Sequence, residues 1–239
     1  VSLLVDSFPL PAAAEEPYEP VLRWLIFTGV SLFAGVALWR YGLVRAMVVS
    51  DRTSISLVIL ALYLVASAHC LVRAVAISRE AKALENLAAA PGEAPARLLV
   101  TAHIADLALK ARARGAGRLD QTLLLRGLAE RLAAPNRLGG LAADTAMKLG
   151  LLGTIIGFIL MLGPVAGLDA DDDAALKTAM STMSAGMAVA MVSTLAGLLG
   201  ALLIKAQYLI VEAATTRLFW RLVRLTETRI APALERGHV

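Results

Sequence analysis

An all-α integral membrane protein, with four transmembrane helices and a helical cytoplasmic layer, is the fold class this sequence predicts. Three observations carry it. Of 239 residues, 58% are hydrophobic and the mean hydropathy is +0.71, more apolar surface than a water-soluble domain of this length needs or tolerates. Four runs reach spanning length, about 20 residues for a helix crossing ~30 Å of hydrocarbon. The charged residues gather between and after those runs, where they face headgroups and set orientation.

The opening segment 1–20, VSLLVDSFPLPAAAEEPYEP, is not expected to act as a signal peptide, because it lacks a basic start and prolines and acids interrupt its apolar part. The first span is Val21–Trp39, with Trp24, Trp39 and Tyr41 at its ends, where amphipathic rings favour the interface. Arg23 and Arg40 bracket it and can extend their charged heads outward. Ile55–Val72 is the second span and completes a first helix pair, 21–72. The region 73–148 carries twelve Lys/Arg against seven Asp/Glu. Pro91-Gly92, Pro95, Gly115–Gly117, Pro135-Asn136 and Gly139-Gly140 cut it into helix-sized pieces. Within it Arg97–Arg114 has Leu98, Ile104, Leu107 and Ala111 at helical spacing, and Leu119–Leu132 is similar. Leu149–Val165 and Met180–Leu203 are the third and fourth spans, a second pair over 149–203, and 204–239 is a C-terminal tail.

Orientation follows from the basic residues. The tail sets Lys205, Arg217, Arg221, Arg224, Arg229 and Arg236 against three glutamates, so it and 73–148 both read as cytoplasmic. The connection 166–179 holds Asp169, Asp171, Asp172 and Asp173 against Lys177 and reads as outside. A solvated acidic loop is expected there rather than a calcium site, since the glycine and distal glutamate of an EF-hand loop are missing. Four full spans leave Arg40, Arg45 and Arg52 outside, against the usual bias. The alternative, a re-entrant Ile55–Val72, needs protein cover for its backbone amides, so four full spans are preferred.

The third span, LGLLGTIIGFILMLGP from Leu149 to Pro164, is rich in glycine although glycine inside a helix costs roughly 1 kcal/mol relative to alanine. At 100° per residue Gly150, Gly153 and Gly157 share a narrow arc with Thr154 at its edge. Helices in lipid associate through close backbone approach, which small residues permit. The fourth span divides into three faces. Thr178, Ser181, Thr182, Ala185 and Ser193 form a polar one, and Gly186, Ala190, Thr194, Gly197 and Ala201 a small one. Met180, Met187, Met191, Leu195, Leu198 and Leu202 form an apolar one. These faces suit a pathway, a neighbouring helix and lipid; the competing reading has each hydroxyl bonded to a carbonyl of its own helix.

Other functions are set aside by what is missing. The net charge of +4 and pI near 9.5 come from residues flanking apolar runs, so no nucleic acid is expected as partner. Cys70 is the single cysteine, and no Cys/His cluster has metal-ligand spacing; neither metal nor cofactor is expected. His69, near the end of an apolar run, is expected to be an interfacial or helix-packing residue rather than a proton relay. Apart from Arg23 at the edge of the first, no Asp, Glu, Lys or Arg lies in the spans. Such a chain can line a pathway but cannot itself supply the carboxylate that carries a proton. No nucleophile–base pair or phosphate loop stands in a credible setting, so no enzyme is expected.

The stretches LGLLGTIIGF (Leu149–Phe158) and LKTAMSTMSAGMAVAM (Leu176–Met191) resemble the MotA/TolQ/ExbB proton-channel family, over about 141–212, and the four spans resemble its MotA-like branch. The resemblance implies a ring: a homopentamer in the bacterial inner membrane, around two copies of a single-span MotB/ExbD/TolR-like partner whose aspartate carries the proton. Proton flow would then drive mechanical work. By the resemblance Thr154 matches the family threonine facing the ion path, Gly150, Gly153 and Gly157 its packing glycines and Gly186 the glycine of its second motif. Taken with the helix faces, Thr154, Thr178, Ser181, Thr182 and Ser184 are the expected channel lining and Gly150, Gly153, Gly157, Gly186, Ala190 and Gly197 the expected packing contacts. One departure stands out. The second threonine of the family's T-T-x-x-G pattern is Met183 here, which removes a hydroxyl donor and supports the alternative of a non-conducting scaffold with the same fold.

Overall fold

A computed structural model describes residues 18–42, 54–89, 98–114, 120–164 and 173–232, and among these every regular element is helical. The opening segment to residue 17, Arg45, Arg52, Pro91-Gly92, Pro95, Gly115–Gly117, the connection over 165–172 with its acidic run as far as Asp172, and the tail from 233 lie outside the described residues.

Helix α1 is Glu19–Arg40. It opens on Glu19, paired with Arg23 one turn on. It closes at Gly42, whose φ of +78° lets its N–H reach the Trp39 carbonyl at 3.0 Å. Only Pro20 and Trp24 are buried in it, and the apolar side chains around the rest are exposed, as suits a helix surrounded by lipid. Helix α2, Ile55–Ala89, has 35 residues, about 52 Å at 1.5 Å per residue. It outruns the hydrocarbon and continues through Arg73, so the 72/73 boundary falls inside one unbroken rod.

Two short helices, α3 (Leu99–Arg114) and α4 (Thr122–Ala133), form a layer beside the extended end of α2. The Glu80 carboxylate on α2 accepts the first N–H groups of α3, from Leu99 at 2.8 Å and Val100 at 3.1 Å. This satisfies orphan donors and places negative charge at a helix N-terminus. Arg73 donates to the Leu132 carbonyl at 3.0 Å, tying α4 to α2, and Leu107, Leu128 and Leu132 are buried. Both helices lie where the periodicity of 97–114 and 119–132 places them.

His103, 4% exposed, lies in α3, where burial pushes its pKa below the ordinary imidazole value and Asp106 pulls it partway back. A depressed folded-state pKa means the unfolded chain binds the proton more readily. This contribution to stability is therefore full above the ordinary imidazole value and is lost as pH falls through the lowered one. Acidification is expected to loosen the α3–α4 layer first, read as faster amide exchange at 99–133, and His103→Gln should flatten that response.

Helix α5 (Arg137–Leu162) follows a single 3-10 turn, Ala134–Asn136, and α6 (Asp173–Leu225) ends in a π-helical turn, Thr226–Ile230. The expected breaks at 135–140 are realised only in part. Pro135-Asn136 makes the turn, but Gly139-Gly140 sits inside α5. The Tyr208 ring occupies the place a Gly139 side chain would take, so that glycine serves packing rather than a break. The 53 residues of α6 measure about 80 Å, and the 148/149 and 203/204 boundaries likewise fall inside continuous helices. Among the described residues four helical stretches are long and apolar enough to cross a membrane: Glu19–Arg40, Ile55–Asn86, Thr122–Leu162 and Asp173–Ile230.

The most extensive packing is between α5 and α6, with α2 against both and α1 at the edge of α2 and α6. The core runs along this arrangement through Ile59, Ala66, Cys70, Ala74 and Ile77 of α2 and Ala201, Ile204, Val211, Leu218 and Leu222 of α6.

Candidate functional site: the glycine seam and its flank

The antiparallel contact of α5 and α6 is a seam of small residues. A Cβ added to Gly150 would stand 2.9 Å from the Ser193 carbonyl and 3.0 Å from Gly197 Cα. One added to Gly157 would stand 2.6 Å from Ala190 N and 2.7 Å from the Gly186 oxygen. Backbone touches backbone at both places, and only glycine allows it. Gly153 receives Ser193, and Gly186 and Gly197 face Met161 and Ala146. All six residues expected to pack helices lie in this seam.

One expected grouping is rearranged. Ser193, read with the polar face of the fourth span, is 1% exposed beneath Gly153 and donates to the Val189 carbonyl at 2.9 Å. Thr194, read with the small face, is exposed and meets Thr154 hydroxyl to hydroxyl. The reason is geometric: the seam centres between Val189, Ser193 and Gly197, which carries Ser193 into the contact and leaves Thr194 on its rim. Thr194 was legible in principle, as the one hydroxyl on the same arc as the packing residues.

Thr154 also donates to the Gly150 carbonyl at 3.2 Å, and Thr194 to the Ala190 carbonyl at 3.0 Å. Two hydroxyl protons thus serve three contacts. Whichever hydroxyl donates to the other gives up its carbonyl, and the exposed Thr194 oxygen keeps lone pairs for an incoming donor. This pair is a polar point in an otherwise apolar stretch, half open on the single chain.

The other expected lining residues sit elsewhere on α6. Thr178, Ser181 and Ser184 are exposed, and Thr182 and Met183 are half-buried. Thr178 and Thr182 bond back to their own helix, at the Ala174 and Thr178 carbonyls (2.9 and 3.0 Å). At 100° per residue Thr178 and Ser181 lie roughly 160° and 140° around α6 from Thr194. One chain therefore holds two separate hydroxyl faces, Thr154–Thr194 on one and Thr178–Ser181 on the other.

A third polar cluster, unread in the sequence, lies where α1 and α2 meet α6. Fully buried Gln207 donates from Nε2 toward Thr28 and Tyr63 (both 3.3 Å) and Ser67 (3.1 Å). Beside it the Tyr208 hydroxyl meets His69 Nδ1 at 2.7 Å, and the two rings stack. His69 is thus a packing and hydrogen-bonding residue between helices. Among the described residues no group of three His, Cys, Asp or Glu side chains stands close enough to hold a metal ion.

Residues 121–222 match the sequence model of the MotA/TolQ/ExbB proton channel family. The match takes in α4, all of α5 and α6 as far as Leu222, and so covers the glycine seam and both hydroxyl faces. It bears out the resemblance read from the third and fourth spans, and together with the four helical stretches of spanning length it supports a multi-pass membrane protein. No curated protein and no solved structure matches the chain.

Proposed function

We propose that this chain is the proton-path subunit of an inner-membrane complex. In it, copies of the chain, five by the family's pattern, surround a single-span partner whose aspartate carries the proton, and flow down the gradient is turned into mechanical work. The observation that carries the proposal is the Thr154–Thr194 pair on the open flank of a seam that the family match covers. The two hydroxyl faces of one chain point apart, and a ring brings them together by setting the Thr178–Ser181 face of one copy beside the Thr154–Thr194 flank of the next. Thr182 and Ser184 complete the lining. The chain supplies ordered hydroxyls and the partner supplies the carboxylate, so the chemistry is proton transfer without covalent catalysis. On this reading α3, α4 and the extended end of α6 are cytoplasmic.

A second reading, a non-conducting scaffold, rests on Met183, which puts a half-buried thioether where the family pattern has a hydroxyl. One experiment separates the two. The chain is placed in liposomes with and without a single-span, Asp-bearing protein encoded beside it, and proton flux is followed. Flux that requires the partner and falls severalfold in Thr154→Ala and Thr194→Ala supports the pathway. A formed complex without flux, in which Met183→Thr restores it, establishes the scaffold.

A further inference from the structure

The flank bearing Thr154 and Thr194 continues toward the α3–α4 end of the molecule, and its residues change character in order. The register of the seam is set by the Thr154–Thr194 contact and, further along, by Asp144 and Lys205, whose charged atoms are 3.8 Å apart. Between these contacts that register sets Leu151 beside Leu198 and Met147 beside Leu202, all four about half exposed on the single chain. Beyond Asp144 and Lys205 opens a groove of about 490 Å³. Tyr208 and Thr215 form its floor and Arg137, Lys205 and Glu212 its charged walls. Thr194, Lys205 and Glu212 share one line along α6 within about 20°, and the hydroxyl pair stands roughly 16 Å from the ion pair at 1.5 Å per residue.

We propose that this groove is the inner mouth of the pathway, the surface where protons pass between path and solution. Leu151, Leu198, Met147 and Leu202 form the apolar seal between the mouth and the hydroxyl pair. The inference rests on the pathway reading above and adds its exit. Asp144 and Lys205 have side chains 55% and 58% exposed, so their pairing is loose and both exchange freely with water, as a mouth requires. Glu212 and Arg137 repeat the same combination of charges one step further out. Two apolar layers in succession are the kind of constriction that stays dry, and therefore closed, until something wets or displaces it. The seal places the point of control in the chain itself, with the partner helix as the element that opens it.

The test uses the full chain in liposomes, alone and with its single-span partner. Leu151→Ser and Leu198→Ser are expected to admit protons without the partner, while Leu199→Ser, about 100° away on α6, stays as tight as wild type. Asp144→Asn combined with Glu212→Gln is expected to lower partner-dependent flux severalfold and leave assembly intact. As a structural readout, Thr216→Cys on the groove wall should react with a membrane-impermeant thiol reagent supplied on the inner side only, since Cys70 is fully buried. Leu198→Ser no leakier than Leu199→Ser would overturn the seal and make this flank lipid-facing. Unchanged flux in the Asp144/Glu212 variant, where Thr154→Ala loses it, would overturn the mouth alone. A wild type with no partner-dependent flux would overturn the pathway reading itself, and the partner-free leak would still decide the seal.

Discussion

Gly157→Leu is expected to separate α5 from α6 and abolish the folded membrane bundle. The first added carbon would stand 2.6 Å from Ala190 N, 2.7 Å from the Gly186 oxygen and 2.8 Å from Ala190 Cβ. Two of those neighbours are backbone atoms of a helix pinned at Gly150–Gly197 further along, so rotamer changes cannot relieve the clash. Overpacking in a tight interior costs typically 1–3 kcal/mol, and leucine adds three carbons beyond the first. The opposing gain from replacing a helical glycine is only about 1 kcal/mol. The clash therefore wins, and the loss propagates because α5–α6 is the bundle's main contact. Gly140→Leu is the matched control, since a Cβ there meets nothing within 4 Å; it should keep wild-type stability or gain slightly. Thermal unfolding in detergent with a fluorescent thiol probe of Cys70, buried in the core, reads both. A Gly157→Leu transition close to that of wild type would mean that the seam is not where the bundle is held.

The seam was readable because its cause is local: three glycines on one arc of an apolar helix have no better use than close approach, and the partner arc on the fourth span was equally plain. What the sequence misplaced is the rotation of that arc. The wheel groups Ser193 with Thr178 and Ser181, yet a contact centred slightly to one side buries Ser193 and exposes Thr194. Periodicity gives a face to within one residue, and here one residue separates a lining hydroxyl from a buried one. Helix lengths were underestimated for a different reason. Hydropathy marks where lipid contact ends, not where backbone hydrogen bonding ends, so α2 and α6 continue as charged helices well past Val72 and Leu203. The Gln207 cluster was invisible for a third reason. Its four polar side chains come from α1, α2 and α6, Gln207 lies 140 or more residues from the other three along the chain, and each alone reads as an ordinary polar interruption.

That cluster gives the second large effect. Gln207→Leu is expected to loosen α1 in the bundle while α5 and α6 stay paired. Helix α1 buries little besides Pro20 and Trp24, so apolar packing holds it weakly, and in lipid it gains almost nothing from hiding leucine. Its deep tie is the Gln207 amide, in reach of Thr28, Tyr63 and Ser67 at 3.1–3.3 Å. Leucine removes all three contacts at once. Thr28 and Ser67 can turn to carbonyls of their own helices, but the Tyr63 phenol is too long to do so and stays unpartnered. The amide has two protons for its three neighbours, and of those neighbours Thr28 alone belongs to α1 while Tyr63 and Ser67 belong to α2. At about 0.6 kcal/mol for an interhelical hydrogen bond in a membrane, α1 loses roughly that much directly and the α2–α6 packing beneath it about as much again. Part of this is returned because the other end of the amide, which has no partner among the described residues, is removed too. The loss at α1 is small beside the α5–α6 contact and a large share of the polar contact that fastens α1 to α6. Cross-linking between cysteines placed on α1 and α6 should therefore fall in Gln207→Leu, while cross-linking between α5 and α6 is unchanged. Gln207→Asn, too short to reach all three hydroxyls, should fall between. Equal loss in both pairs would show that Gln207 supports the whole bundle rather than the attachment of its outermost helix.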